Sequence, residues 1–470
     1  MSFLYYELPV TGNRQLVIKM EFGIFILRFY LSYMNTRRNF LKSTGITAAG
    51  VGVASLLPMD LIAAVRKKVS ANDKIGIGVI GCRGQGWSDL KAILKVPETQ
   101  CVALCDIDKN ILQERSADLE KINQKPALYD DFRKLLADKN VDVVIIGTPD
   151  HWHCLQLTAA LSAGKDVFCE KPVANSVYEA QLMNKAVERS GRIVQVGQWQ
   201  RSQKHFQDAI AFVHSGKLGN VASAKTWMYR GGSKALPVVA DSPVPSGVDY
   251  TMWLGPSTNR SFNKNRFHYE FRWFWDYAGG LMTDWGVHLI DMVLLGMNAE
   301  APVSVMATGG KYVFPGDARQ TPDIQTALYD FGNFQMSWEH NMATGVGLFG
   351  MSHGIAFIGE NGTLLLNREG WEVRPEKNKM EAVAWTKSVD NGLDNHAVNF
   401  IEAIKSRKKE MLHCPFEAGA KVAVVSHMGN IALRTGQKIY WDKKENQFNL
   451  AEANKLVKPT YYNGWKLPVV

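Results

Sequence analysis

Three residues have the types and spacing to move protons. The first is Lys171. It closes the stretch Phe168-Cys169-Glu170-Lys171-Pro172 ("FCEKP"), which ends an apolar run. A charged lysine is rarely buried without a purpose. The residue before a proline is held extended, so Lys171 leaves its strand in a fixed direction. The carboxyl end of a strand is where an open α/β sheet presents ligand-facing groups. The other two, Asp284 and His288, lie in "DWGVHLID", where they stand with Asp291 at i, i+4 and i+7 on one face of a predicted helix, after a flexible Gly279-Gly280 entry. An imidazole one turn from a carboxylate can serve as an oriented proton acceptor. The competing interpretation is a helix-face ion pair with a satisfied histidine.

The elements around Lys171 read as a doubly wound α/β unit. "DKIGIGVIGCRGQGW" (73–87) is an apolar strand, a glycine turn and a helix start. Further strands are expected in "CVALCDID" (101–108), "VDVVIIGTP" (141–149), "KDVFCEKP" (165–172) and "RIVQVGQ" (192–198). Helical stretches near 109–122, 151–163 and 175–190 alternate with them. Strands alternating with helices imply a parallel sheet, and near-continuous apolar strands imply cover on both faces. In the turn, Gly81 permits the tight bend and Gly86 permits close packing of helix on strand. Arg83 replaces the second glycine of G-x-G-x-x-G, with Gly84 and Gln85 beside it. Backbone amides at a helix start suit a pyrophosphate. Asp106 ends the second strand, where a carboxylate accepts from an adenosine ribose and repels a 2′-phosphate, so NAD is favoured over NADP.

From residue 199 the pattern changes. "NVASAKTWMY" (220–229), "PVSVMATGG" (302–310), "IQTALYDF" (324–331), "FQMSWEHN" (334–341) and a hairpin over 355–367 predict an α+β half with a mostly antiparallel sheet. The expected organisation is a leader and linker over 1–70, a dinucleotide-binding Rossmann domain over 71–198, an α+β substrate and oligomerisation domain over 199–448, and a tail over 449–470. Aromatic residues crowd 253–277, with Arg266 and Arg272 among them as candidates for binding hydroxyls. Most of these rings are expected to be core.

Composition narrows the class. With 470 residues, more than one domain is expected. The net charge of +9 is spread without a run of five like charges, which argues against nucleic acid. The six cysteines have no metal-type pairing and read as buried reduced thiols, and no metal site is expected. Residues 34–57, "MNTRRNFLKSTGITAAGVGVASLL", match a twin-arginine export signal, with Met34 as the expected true start. The apolar stretch is too short for a membrane span. A periplasmic location follows as the expectation, with the twin-arginine translocase as a partner during export and no stable membrane insertion.

Taken together, the glycine turn, Asp106, "TPDHWH" (148–153), "CEKP", "DWGVHLID" and "HAVNFIEAI" (396–404) resemble the Gfo/Idh/MocA oxidoreductase family over residues 75 to about 440. The resemblance implies a nicotinamide cofactor on the first domain, a cis bond before Pro172, and a homo-oligomer formed through the second sheet. It assigns catalytic roles to Lys171, Asp284 and His288. His288 takes a hydroxyl proton, Asp284 holds and stabilises His288, and Lys171 polarises the alkoxide or shares the proton. The residues expected to bind the cofactor are Gly81, Arg83, Gly84, Gln85, Gly86, Asp106, Thr148, Pro149, His153, Glu170, Lys171 and Gln198; Arg83 is the departure from the family's pattern and bears on the phosphate contact, not the fold. The implied activity is NAD(P)-dependent hydride transfer with a sugar or glycoside. The alternatives are an NAD-dependent glycosidase working by transient oxidation and elimination, and a non-catalytic sugar-binding protein.

Overall fold

The computed structural model describes residues 74–470, together with the backbone of a short strand pair, Lys19–Met20 with Gly23–Ile24. The twin-arginine motif and the Met34 start lie outside the described residues.

The first half is a six-stranded, all-parallel sheet. Its strands are β1 (Ile75–Ile80), β2 (Thr99–Cys105), β3 (Ala127–Tyr129), β4 (Val143–Ile146), β5 (Asp166–Cys169) and β6 (Val194–Val196), in the order β3-β2-β1-β4-β5-β6. β4 is buried at every position, as a strand covered on both faces must be. Helices α1 (Gln85–Ile93), α2 (Lys109–Glu120), α3 (Phe132–Ala137), α4 (His153–Ser162) and α5 (Val177–Ser190) connect the strands. Ser176 caps α5: its hydroxyl accepts from the Glu179 amide at 3.2 Å and donates to the Glu179 carboxylate at 2.9 Å. β3 is absent from the sequence reading, because three residues between charged turns carry no periodic signal.

The second half is built on a ten-stranded, mostly antiparallel sheet, as expected. It includes β7 (Val221–Tyr229), β8 (Ser304–Gly310), β9 (Ile324–Asp330), β10 (Gln335–Asn341), β11 (His353–Gly359) and β12 (Gly362–Leu366). Only β7 and β10 pair in parallel among its described strands. The expected hairpin is β11 with β12. Helix α6 (Lys204–His214) follows the crossover, and the short α7 (Tyr250–Leu254) and α8 (Val287–Gly296) contribute Met252, Trp253 and His288 to the cleft between the halves.

Two late elements return to the first half. Helix α9 (Gly392–Ser406) sends Ala397, Phe400 and Ile401 into the core formed by Ile77, Val79, Val143 and Phe168. The C-terminal stretch packs Trp465 edge-on against Trp152 at 5.0 Å, and the Tyr461 hydroxyl donates to Glu179. The expected ranges 199–448 and 449–470 therefore both contribute to the packing of the parallel sheet. Apolar residues far apart in sequence complete one core here, which local patterning does not reveal. All six cysteines are free and buried. Among the described residues no helix is long and apolar enough to cross a membrane.

Candidate active site

A cleft of ≈ 800 Å³ runs along the carboxyl ends of β1, β2, β4 and β5. The glycine turn and Asp106 line one end, and Lys171, Asp284 and His288 line the other. This is the edge where an open parallel sheet presents ligands.

The turn end has the shape a pyrophosphate needs. A Cβ on Gly86 would fall 2.3 Å from the Gly81 carbonyl oxygen, and one on Gly81 (φ +87°) would fall 2.8 Å from Gly147. Helix α1 can therefore approach the turn only because these side chains are missing. A Cβ on Gly84 would meet nothing within 4 Å, so that side of the turn is open. Arg83 is exposed at the rim and does not fill the turn. The Asp106 carboxylate accepts from the Cys82 amide at 2.8 Å and the Asp108 amide at 3.1 Å. Burial lifts this carboxyl to about 6, against the pull of those amides. Open amides, absent side chains and a fixed carboxylate fit the diphosphate and ribose of a dinucleotide.

At the other end the peptide bond Lys171–Pro172 is cis. Lys171 crosses to the second half: its Nζ donates to the Asp284 carboxylate at 2.9 Å and to the Asp284 carbonyl at 3.1 Å. Asp284 also accepts from Arg272 Nε at 3.4 Å. Burial alone would lift the Asp284 carboxyl, but Lys171 and Arg272 outweigh it and hold it well below the usual carboxylate range. His288 is buried. Burial, then the Lys171 and Arg368 cations, push it well below the usual imidazole range. Its Nδ1 has no hydrogen-bond partner among the described residues.

One role expected from the sequence changes. Asp284 was expected to hold His288, yet its carboxylate binds Lys171 and Arg272, and no hydrogen bond joins it to His288 among the described residues. The reason is local. Met282–Gly286 forms a π-helical turn ahead of α8, which takes Asp284 out of the i, i+4 relation of a regular helix. Asp291, the third residue of the expected face, is bound bidentately by Arg201 at 2.7 and 2.8 Å and lies outside the cleft lining.

Nine of the twelve expected cofactor residues line the cleft: Gly81, Arg83, Gly84, Gln85, Asp106, Thr148, Pro149, Glu170 and Lys171. Three do not. Gly86 packs helix on turn, as its glycine role implies. His153 is buried, with Nδ1 bonded to the Pro172 carbonyl and Nε2 to the Thr148 carbonyl, both at 2.8 Å. It fastens the two loops and does not face a ligand. Gln198 is buried and accepts from the Cys414 thiol. The sequence expectation places both side chains against the cofactor; in the structure neither lines the cleft, and loop carbonyls engage both ring nitrogens of His153. Arg266 is likewise tied to Asp241 and the Ser261 carbonyl, away from the lining, whereas Arg272 lines the cleft. Of the aromatic cluster, Trp253, Tyr269 and Phe271 reach the cleft, while Phe267, Trp273, Phe274 and Tyr277 are core.

The raised carboxyls of Asp150 and Glu170, and Arg368 as a lining group, carried no sequence signal. Asp150 is buried, and burial pushes its carboxyl up to about 8 against Arg272 and Lys171. Glu170 is pushed up to about 7 by burial, against Lys171. Arg368 comes from the turn after β12 and is stacked between Trp199 and Trp285. A lone arginine in a hairpin turn is invisible to periodicity and motif alike.

Residues 75–198 match the family model described as "Oxidoreductase family, NAD-binding Rossmann fold", and residues 215–313 match "Oxidoreductase family, C-terminal alpha/beta domain". The chain is 27% identical over 255 residues to the uncharacterized oxidoreductase YrbE of Bacillus subtilis, covering 54% of this chain and 62% of that one. It is 31% identical over 205 residues to the alpha-N-acetylgalactosaminidase of Tannerella forsythia, covering 40% and 43%. These matches thus span less than two thirds of either relative. A levoglucosan dehydrogenase, solved with NADH and levoglucosan, superposes with a TM-score of 0.59 at 18% identity, over 78% of this chain and 99% of that one, and so shares the fold. Residues 75–198 and 215–313 thus carry the two domains of the Gfo/Idh/MocA oxidoreductase family, the NAD-binding Rossmann fold and the C-terminal alpha/beta domain.

Proposed function

We propose that the protein is an NAD-dependent oxidoreductase that transfers hydride between a sugar or glycoside hydroxyl carbon and a nicotinamide. The observation that carries this reading is the Lys171–Asp284 bond, which ties the two halves together beside His288 in one cleft. When bound, the nicotinamide supplies the hydride acceptor. The glycine turn and Asp106 would hold its pyrophosphate and ribose; the Asp106 carboxylate would repel a 2′-phosphate, which favours NAD. His288 is neutral at physiological pH, so it can accept the proton of the hydroxyl on the reacting carbon. Lys171 donates a hydrogen bond to the oxygen as its charge develops. Asp284 acts by fixing Lys171, and Arg272 shares that carboxylate. A screen of sugars and glycosides that follows nicotinamide absorbance tests this. Reduction on adding a sugar, abolished in His288→Asn, supports it; no reduction with any sugar by cofactor-loaded protein overturns it.

The similarity to an α-N-acetylgalactosaminidase favours one second reading. There the glycoside is oxidised, eliminated and reduced again, with no net change in the cofactor. Product analysis separates the two: a keto-sugar with reduced cofactor, or a cleaved glycoside without it.

We further propose export to the periplasm, on the strength of Arg37-Arg38 and the sequence after them. Free NAD is not regenerated there, so the cofactor must be loaded before export and stay in place. A strap over residues 230–249 supports retention. It leaves the second half and pairs with the stretch joining β2 to α2: the Gly247 carbonyl accepts from the Lys109 amide at 2.9 Å, and the Asp249 amide donates to the Ile107 carbonyl at 2.9 Å. Nicotinamide absorbance in protein purified without added cofactor is the expected result. The sheet of the second half is the proposed homo-oligomer interface, which light scattering would test.

A further inference from the structure

Resting on the hydride-transfer reading, the geometry points to a substrate that carries an anionic group, a carboxylate or sulfate ester on the sugar, held by Arg368 within reach of His288.

Arg368 is a cation without a counter-ion. It forms no ion pair among the described residues; its Nε and Nη2 donate to a single neutral oxygen, Gln200 Oε1, at 3.3 and 3.2 Å. The two other cations of this part of the cleft, Lys171 and Arg272, share the Asp284 carboxylate. Arg368 is half-buried, and a cation partly taken from water without a counter-ion is a site that an anionic ligand completes. Burial draws the Arg368 guanidinium down to about 10, against the weaker pull of Asp284 and Glu369, so it stays charged at neutral pH.

The side chain is also held ready. Its guanidinium lies 4.7 Å from the Trp199 ring and 4.3 Å from the Trp285 ring. Stacking of this kind satisfies the faces of a guanidinium, and with Nε and one Nη2 N–H given to Gln200 it leaves the Nη1 edge for a bidentate anion. The turn that carries it is fixed at its base, where Asn367 Oδ1 accepts from the Glu369 and Gly370 amides and the Asn367 carbonyl accepts from His205. A pre-positioned arginine loses little freedom when it binds.

The position selects the substrate rather than the cofactor. Asp106 and the glycine turn occupy the opposite end of the cleft, whereas the same two tryptophans flank His288, each ring centroid 6.4 Å from the imidazole. Gln200 links the two residues, since its Nε2 donates to the His288 carbonyl at 3.5 Å. An anionic substituent on Arg368 would therefore place a carbon of the same sugar near His288 and Lys171.

The test uses full-length protein with NAD and four probes: methyl glucuronide, its methyl ester, methyl glucoside and methyl glucoside 6-sulfate. Quenching of tryptophan fluorescence reads binding, and nicotinamide absorbance reads turnover. The acid is expected to bind ~10–100-fold more tightly than its ester. Arg368→Gln is expected to erase that preference, and Arg368→Lys to keep part of it. A preferred sulfate in place of the carboxylate assigns the anion as a sulfate ester. Equal binding of acid and ester, or an equal loss of both in Arg368→Gln, overturns the inference and leaves Arg368 as a structural stacking residue. The two readings fail separately. Acids that bind selectively without cofactor reduction sink the hydride-transfer reading. Neutral sugars that reduce the cofactor as well as acids sink this one.

Discussion

Lys171 and Asp284, 113 residues apart, are joined at 2.9 Å, and the lysine also donates to the backbone carbonyl of the same aspartate. One side chain thus spans from the loop after β5 to the π turn before α8 and sets the distance across the reacting end of the cleft.

That link makes the two residues act as a unit. Lys171→Met, Asp284→Asn and His288→Asn are each expected to lower kcat by ~10²–10⁴. The double variant Lys171→Met/Asp284→Asn is expected to be little worse than Lys171→Met alone, because groups that work as one are non-additive. Steady-state kinetics on the three single variants and the double variant checks this, and a fully additive loss contradicts it.

Asp150 makes stability depend on pH. Its carboxyl sits near 8 in the folded protein against an ordinary 3.8. Between about pH 4 and 8 the folded chain therefore binds more protons than the unfolded chain, so stability falls as pH rises through that window. Asp150→Asn removes this contribution. Its stability relative to wild type is expected to climb from pH 4 to 8, by on the order of a few kcal/mol, and then level off. Denaturant melts across that range read it out; a pH-independent difference would count against it.

Asp291 tests the separation of structural from reacting carboxylates. Its side chain is 1% exposed and that of Arg201 10%. Removing one partner strands a buried charge, so Asp291→Ala is expected to cost about 3–5 kcal/mol in urea unfolding. The surviving folded enzyme should keep its KM, in contrast to the cleft variants. A large rise in KM would place Asp291 in the site after all.

The strap is open to a backbone test. Gly247 has φ +85°, and a Cβ there would lie 3.2 Å from Asn110 Nδ2. Gly247→Val strains the segment that pairs with Lys109 and is expected to destabilise the latch by about 1–2 kcal/mol. Faster loss of bound nicotinamide on gel filtration, with unchanged stability of the remaining fold, is the expected outcome. Equal retention in variant and wild type would show that the strap does not hold the cofactor.

The alternation of apolar runs and helices, the glycine turn and the charged exit at Lys171 were legible because they are local. Each follows from side-chain period, backbone freedom or chain direction within about ten residues, and the parallel sheet with its ligand edge follows from them. His153 and Gln198 were misplaced as ligand-facing groups for the opposite reason. Their types suit a cofactor, but loop carbonyls take both ring nitrogens of His153 and the Cys414 thiol donates to the Gln198 side-chain oxygen, and no residue type announces that. The π turn is a further case, because an i, i+4 spacing in the sequence does not distinguish a regular helix from a widened one.

The amino-acid order by itself determined two sheets, a dinucleotide-shaped turn, and an ammonium and an imidazole placed to meet. Only the tertiary structure decided which carboxylate serves which cation. It gave Asp284 to Lys171 and Asp291 to Arg201, and brought Arg368 from a distant hairpin between Trp199 and Trp285. The physical reason is that charge pairing and desolvation depend on distance through space, and a linear pattern encodes distance only along the chain.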